Sequence, residues 1–296
     1  MSDPQAILRD HKPEKDFFIG IDSDGCAFDT MEVKHKDCFC PMTVKHWGMA
    51  AVAKYARDAW DFVNLYSKTR GCNRFLALTR VLDLVAERPE VQRRGVEIPR
   101  ADGVRSWAAR ETKLGNPTLD AELEKTGDPD LKRAQAWSYE VNEQIAAIVK
   151  GVAPFPFLRE SLKKIHTQAD VIVVSATPIE ALVREWEEHD IDKYVKVIAG
   201  QEHGSKKEHI ALAAKGKYPE GKILMIGDAP GDMKAAKENG ALFYPINPGA
   251  EEQSWQRFHE EAADRFFAGT YAGDYETKLI AEFDTYLPEV PPWKAS

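Results

Sequence analysis

The stretch Phe17-Phe18-Ile19-Gly20-Ile21-Asp22-Ser23-Asp24-Gly25 decides the fold. An apolar run leads directly into two carboxylates and a glycine, the pattern of a buried strand that ends in a tight polar turn. The arrangement returns at Asp170-Val171-Ile172-Val173-Val174 before Ser175-Ala176-Thr177-Pro178, and again at Lys222-Ile223-Leu224-Met225-Ile226 before Gly227-Asp228. Tyr194 to Ala199 and Ala241 to Ile246 are read as further strands. Several runs are continuous rather than alternating, as expected when helices cover both faces of a parallel sheet. Helical patterns fill the gaps: Ile179 to His189 behind Pro178, Ser205 to Ala214 with Ser205 as cap, and Gly231 to Asn239 stopping before Gly240. From about residue 155 strands and helices alternate, which predicts a doubly wound, Rossmann-like α/β domain with a parallel sheet.

Before Pro154 the texture changes. Val44 to Tyr66, Arg74 to Ala86 and residues 129 to 149 carry helical periodicity, the last through Trp137, Val141, Ile145 and Ile148. Residues 89 to 128, with their Gly, Pro and charges, read as irregular surface or short helices. The expected organisation is a core made of 1–35 and 153–296, with a mainly helical domain, 36–152, inserted after the first strand. Trp47, Trp60 and Phe62 are expected in the core of that insert; Trp255, Phe266, Phe267 and Tyr271 are expected to pack a terminal extension on the α/β domain.

Composition narrows the partners. The 296 residues carry 48 acidic against 40 basic side chains, a formal charge of -8, so nothing attracts a polyanion in general and nucleic acid is not expected. The polar stretch Met1 to Asp16 has no signal-like apolar run, and no segment approaches the roughly 18 apolar residues of a membrane span. No membrane partner and a cytoplasmic location follow as expectations. The four cysteines, Cys26, Cys38, Cys40 and Cys72, are expected as free thiols. His35, Cys38 and Cys40 are zinc-binding residue types, but Cys38 and Cys40 are one residue apart with no matching pair downstream, so zinc is not the reading.

Parallel strands place their carboxyl ends on one edge, so Asp22 and Asp24, Ser175, and Asp228 with Asp232 are expected to converge in one crevice. Carboxylates two positions apart at a sharp turn can couple their proton affinities and take different parts in a reaction. An acidic site can receive an anionic phosphate only with cations present. Magnesium accepts hard oxygen ligands, with Asp228 as the distant protein ligand, and Asp232 would support it. Ser175 suits a phosphate oxygen. Ser205-Lys206-Lys207 supplies the lysine, Lys206 being favoured over Lys207 as the group that neutralises phosphate and nucleophile.

On these residues the sequence resembles the haloacid dehalogenase-like superfamily, in its phosphatase branch with a C1-type helical cap. The strand with Asp-x-Asp-Gly is Ile19 to Gly25, the strand ending in Ser or Thr is Val171 to Ser175, the lysine is Lys206 or Lys207, and the acidic motif is Gly227-Asp228 with Asp232. These motifs lie at both ends of the core in the family's order, whereas the insert has no comparable pattern. The resemblance implies that Asp22 attacks phosphorus to form an aspartyl-phosphate, and that Asp24 protonates the leaving group and then activates water. It also implies magnesium held by Asp22, the backbone carbonyl of Asp24, and Asp228. The second acid, Asp24, favours phosphatase or phosphomutase chemistry over cleavage of carbon–halogen or carbon–phosphorus bonds.

A small phosphorylated metabolite is the expected partner, with the insert contacting the part beyond phosphate. Candidate contacts are Lys34 and His35 after the first loop, and Arg70 and Arg74, whose guanidinium groups suit a further anion. The leading expectation is a magnesium-dependent phosphatase. A phosphomutase using the same intermediate and a noncatalytic phosphate-ligand binding protein are the alternatives.

Overall fold

The computed structural model describes residues 3–294, which fall into two compact units: 3–30 with Gly151–Leu287, and Met31–Lys150 with 288–294. The first is the α/β core. Its strands are β1 (Phe17–Ile21), β2 (Ala169–Val174), β3 (Val197–Ala199), β4 (Ile223–Gly227) and β5 (Leu242–Pro245), in the spatial order β3-β2-β1-β4-β5. Every pairing is parallel, with Ile21 opposite Val173 on one side and Ile226 on the other.

The continuous apolar runs are explained by burial of both faces. Ile19, Ile21, Val171, Val173, Leu224 and Ile226 point into one core with Trp186, Trp255 and Phe266. Phe18, Ile172, Val174 and Met225 point into another with Ile210, Ala236 and Phe283. Side chains alternate in direction along a strand, so a sheet clad on both sides needs apolar residues at every position. The expected role of Trp255, Phe266 and Tyr271 holds: all three are fully buried, and Trp255 Nε1 donates to Cys26 O at 2.7 Å, tying the helical extension to the loop after β1.

The sequence boundaries shift in places. Tyr194 to Ala199 is a single 3-10 turn, Asp192–Tyr194, before a strand of three residues, Val197–Ala199. The helices Leu158–Ile165, Glu251–Arg257 and Asp274–Tyr286 were not anticipated.

The second unit is helical. Arg74–Ala86 and Pro129–Ile148 form as expected, the latter capped by Asp128, whose carboxylate accepts from two backbone N–H groups. Residues 89–128 contain the helices Pro89–Arg93, Asp102–Ala108 and Asn116–Thr126. The expected single helix from Val44 to Tyr66 is broken instead: Cys40–His46 ends, the chain turns at Gly48 (φ 67°), and Ala53–Asn64 begins afresh. That turn lets Trp47 and Trp60 both enter the unit's core with Trp107 and Trp137. The chain passes between the units at Thr30/Met31 and Lys150/Gly151, and a third time at Leu287/Pro288, so the last residues group with the helices rather than with the sheet. The four cysteines form no disulfide. Among the described residues no helix is long and apolar enough to cross a membrane.

Candidate active site

Asp22 follows β1, Ser175 follows β2 and Asp228 follows β4, and these three strands are neighbours in the sheet. Chain order runs outward from β1 through β2 to β3 and then resumes on the other side with β4, so the crevice at the carboxyl end of β1 is the switch point of the fold. The ladder continues into the site residues: Asp22 N–H donates to Ile226 O and Ser175 N–H to Ala199 O, both at 3.0 Å.

One carboxylate oxygen from each of Asp22, Asp228 and Asp232 lies within 4.8 Å of the others, and all three residues are buried. Lys206 reaches into this group. Its Nζ lies 2.5 Å from Asp22 Oδ2 and 2.6 Å from Asp232 Oδ1. Ser205 caps the helix Lys206–Ala213, its Oγ accepting from Glu208 N–H while Glu208 Oε2 accepts from Ser205 N–H. This cap sets where the first turn points. Successive helical residues diverge by about 100°, so Lys206 and Lys207 cannot both face the acids. Lys207 is mostly exposed and pairs with Glu238 at 2.9 Å, so the expectation of a phosphate contact from Lys207 is corrected.

Glycine at 227 makes the acidic turn possible. A Cβ on Gly227 would lie 2.4 Å from Asp232 Cβ, space that the aspartate side chain already fills. Asp232 Oδ2 accepts from the N–H groups of Asp228 (3.2 Å) and Ala229 (3.0 Å), and Oδ1 accepts from Lys206. Both oxygens of Asp232 are therefore engaged in holding the turn and the lysine, which fits a supporting role for it.

Asp24 stands apart from this group. Its Oδ2 accepts from Thr177 Oγ1 at 2.6 Å and its Oδ1 accepts from the hydroxyl of Thr30. The turn between the two aspartates is pinned at Ser23, whose Oγ accepts from Trp186 Nε1 at 3.1 Å and whose carbonyl accepts from the N–H groups of Cys26, Ala27 and Phe28. Ser175 is buried, and its Oγ accepts from Thr177 N–H at 3.2 Å, which leaves the hydroxyl proton to donate. Thr177 and Thr30 were not singled out from the sequence. Thr177 sits in the quoted Ser175-Ala176-Thr177-Pro178 turn, but nothing local to it announces a partner at Asp24, 153 positions away.

The electrostatics are those of an acid cluster that holds the ammonium of Lys206. Burial pushes the Asp22 carboxyl well above its ordinary range; Lys206 works against this, and Asp232 and Asp228 add to it. For Lys206 burial opposes the charge, but Asp22, Asp232 and Asp228 together outweigh burial and hold its pKa above the usual lysine value. The two shifts have one cause: Lys206 lies among the buried acids Asp22, Asp228 and Asp232. A divalent cation that prefers hard oxygens would complement that donor set, and Asp22 and Asp228 could hold it.

The candidates in the helical unit are scattered among structural roles. Arg70 is buried and donates to Leu65 O at 2.8 Å, bracing the end of the helix Ala53–Asn64, which corrects its expected role as a presented anion ligand. His35 Nδ1 accepts from Trp60 Nε1 at 3.1 Å and its ring stacks on Phe39. Lys34 is half-buried at the start of the π-helical turn Lys34–Phe39. Arg74 donates to Asn142 Oδ1 (2.7 Å) and Ser138 Oγ (3.1 Å), lies over the Phe39 ring, and is pushed down to about 10 by burial.

A family model described as haloacid dehalogenase-like hydrolase matches residues 106–244, a stretch that holds Ser175, Lys206, Asp228 and Asp232. Over that stretch the chain is similar to haloacid dehalogenase-like hydrolases. The loop Asp22 to Gly25 lies ahead of the matched stretch and is joined to it by the sheet. Similar solved structures include a haloacid dehalogenase-like hydrolase from Streptococcus pneumoniae, at 15% identity and TM-score 0.43, covering 90% of this chain and 98% of that one. A proposed phosphoglycolate phosphatase from Lactobacillus delbrueckii subsp. bulgaricus aligns at 15% identity and TM-score 0.47, over 83% of this chain and 92% of that one. A beta-phosphoglucomutase from Clostridium difficile aligns at 13% identity and TM-score 0.47, over 85% and 97%. No curated protein sequence matches the chain at a significant level.

Proposed function

We propose that this protein is a haloacid dehalogenase-like, magnesium-dependent phosphatase acting on a small phosphorylated metabolite through an aspartyl-phosphate. The observation that carries the reading is the division of labour between the two aspartates of the first loop. Asp22 lies against Lys206 among the buried acids, while Asp24 is held by two hydroxyls outside that group. These different surroundings support reading Asp22 as the attacking carboxylate and Asp24 as the proton carrier, the two roles that phosphoryl transfer to a carboxylate requires.

In this reading an Asp22 oxygen forms the bond to phosphorus as the bond to the leaving oxygen breaks. Asp24 gives its proton to that oxygen. The Ser175 hydroxyl donates to a phosphate oxygen, and Lys206 holds the nucleophile and offsets negative charge. Asp24, now ionised, takes a proton from the water that attacks phosphorus; the bond from Asp22 oxygen to phosphorus breaks, orthophosphate leaves, and both carboxyls are restored. Magnesium, held by Asp22, Asp228 and the backbone carbonyl of Asp24, would screen the repulsion between carboxylate and phosphate and orient the phosphoryl group. Arg74, a half-buried guanidinium bonded to neutral acceptors, is the proposed anion contact of the helical unit.

The test is a panel of small phosphomonoesters assayed with and without magnesium, for the wild-type protein and Asp22→Asn. Orthophosphate release that needs the metal and is lost in Asp22→Asn is expected. Undiminished turnover by a pure Asp22→Asn preparation would remove Asp22 as nucleophile, and isomerised sugar phosphate without orthophosphate would assign a mutase instead.

A further inference from the structure

The geometry points to Thr177 as a positioning residue for proton transfer to the leaving group, acting through Asp24. The inference rests on the phosphatase reading above and deepens it. Thr177 makes two contacts of opposite purpose from one position. Its backbone N–H donates to Ser175 Oγ at 3.2 Å, so the Ser175 proton is left to meet a phosphate oxygen. Its side-chain hydroxyl donates to Asp24 Oδ2 at 2.6 Å. The phosphate contact and the acid are therefore set by the same residue, and the distance between them is fixed by its single peptide frame.

That frame is itself held. Thr177 O accepts from Gln201 N–H at 3.0 Å, and the loop runs so close to Gly200 that a Cβ there would come within 2.7 Å of Thr177 O. The loop after β2 is thus seated against the end of β3, and Thr177 presents its hydroxyl to Asp24 from a braced backbone. A carboxyl that donates a proton in flight must point along the breaking bond, and an error of about 1 Å in its place can cost on the order of a hundredfold in rate. Thr177 supplies that aim: as the phosphorus–oxygen bond to the leaving group breaks and the Asp22 bond forms, the proton passes from Asp24 to the leaving oxygen.

The consequence can be read from leaving groups. Thr177→Val keeps the shape and the backbone N–H to Ser175 but removes the hydroxyl, so phosphate binding survives while Asp24 keeps Thr30 on Oδ1 and loses the partner that aims Oδ2. Departure of a nitrophenolate needs little protonation; departure of an alkoxide depends on it. We expect Thr177→Val to lower kcat/KM for 2-glycerol phosphate by roughly tenfold or more, while kcat/KM for 4-nitrophenyl phosphate stays within about twofold and Thr177→Ser restores the alkyl substrate. Thr177→Ala, with an unchanged thermal midpoint, serves if the Val variant does not fold. Equal losses on both substrates, or no loss on either, would overturn the role assigned to Thr177. Absence of metal-dependent turnover of both substrates by the wild-type protein would instead overturn the phosphatase reading beneath it.

Discussion

Lys206 Nζ lies 2.5 Å from Asp22 Oδ2, a contact between residues 184 positions apart. The next residue, Lys207, turns outward to Glu238. Removing Lys206 leaves buried acids without their ammonium, the costly way to break a buried pair. Lys206→Met should lose about 3 kcal/mol of stability at neutral pH and roughly a hundredfold or more in kcat/KM. Lys207→Met should stay within about twofold in kcat/KM and about 0.5 kcal/mol in stability. Urea unfolding and steady-state kinetics on both variants check this; equal losses would show that the two lysines share the site.

Metal binding should appear as stability. Magnesium at a hundred times its dissociation constant would stabilise the folded chain by about 2.7 kcal/mol. Asp228→Asn should abolish most of that gain, because Asp228 belongs to the buried oxygen cluster. Thermal midpoints with and without magnesium, read beside titration calorimetry, decide the matter. A full metal-induced shift in Asp228→Asn would place the ion elsewhere. Chelation should stop turnover and added magnesium should restore it.

His209 is fully buried on the lysine-bearing helix, and burial, with His203 and Lys206 nearby, pushes its imidazole down to about 4 from 6.5. The folded state therefore resists protonation that the unfolded chain accepts. Stability from this group is complete above about pH 6.5, is lost as pH falls toward 4, and changes no further below, a loss of about 3 kcal/mol. His11, whose pKa burial also lowers, adds to the same window. His209→Met should flatten the acid limb of a pH series of urea unfolding curves, and an unaltered limb would assign the loss to His11 or other groups.

Trp293 and Lys294 are built into the helical unit. The guanidinium of Arg88 lies 3.7 Å from the Trp293 ring centre and pairs with Asp58 at 2.9 Å, while Trp293 packs edge-on to Phe62 and Lys294 pairs with Glu87. Desolvated cation–π contacts contribute about 2 kcal/mol, so Trp293→Ala, or a chain ending at Leu287, should destabilise this unit by about that much. Hydrogen exchange at the helices Ala53–Asn64 and Arg74–Ala86 is the direct measure. Unchanged protection there would show the tail to be passive.

Much of the core could be read locally. The strand Phe17–Ile21 has the bounds expected of it, and the helix after Ser205 starts at its cap. Apolar runs, Gly and Pro punctuation and capping residues act over a few positions, so the sequence by itself determined which segments became strands and that Asp22, Ser175 and Asp228 end three of them. Parallel pairing then brings those ends together. Two residues of the same type in succession carry no such information. Lys206 and Lys207 are alike until a helix, docked against β2 and the helix Pro230–Glu238, turns one toward the acids and the other to solvent. Asp24 is similar: its spacing from Asp22 is local, but its direction comes from Thr30 and Thr177, the latter arriving only when β2 pairs with β1. The break at Gly48, the burial of Arg70 and the capture of Trp293 by Arg88 were likewise decided by tertiary packing. In each, a side chain or turn was chosen by a surface that exists only after distant segments have met.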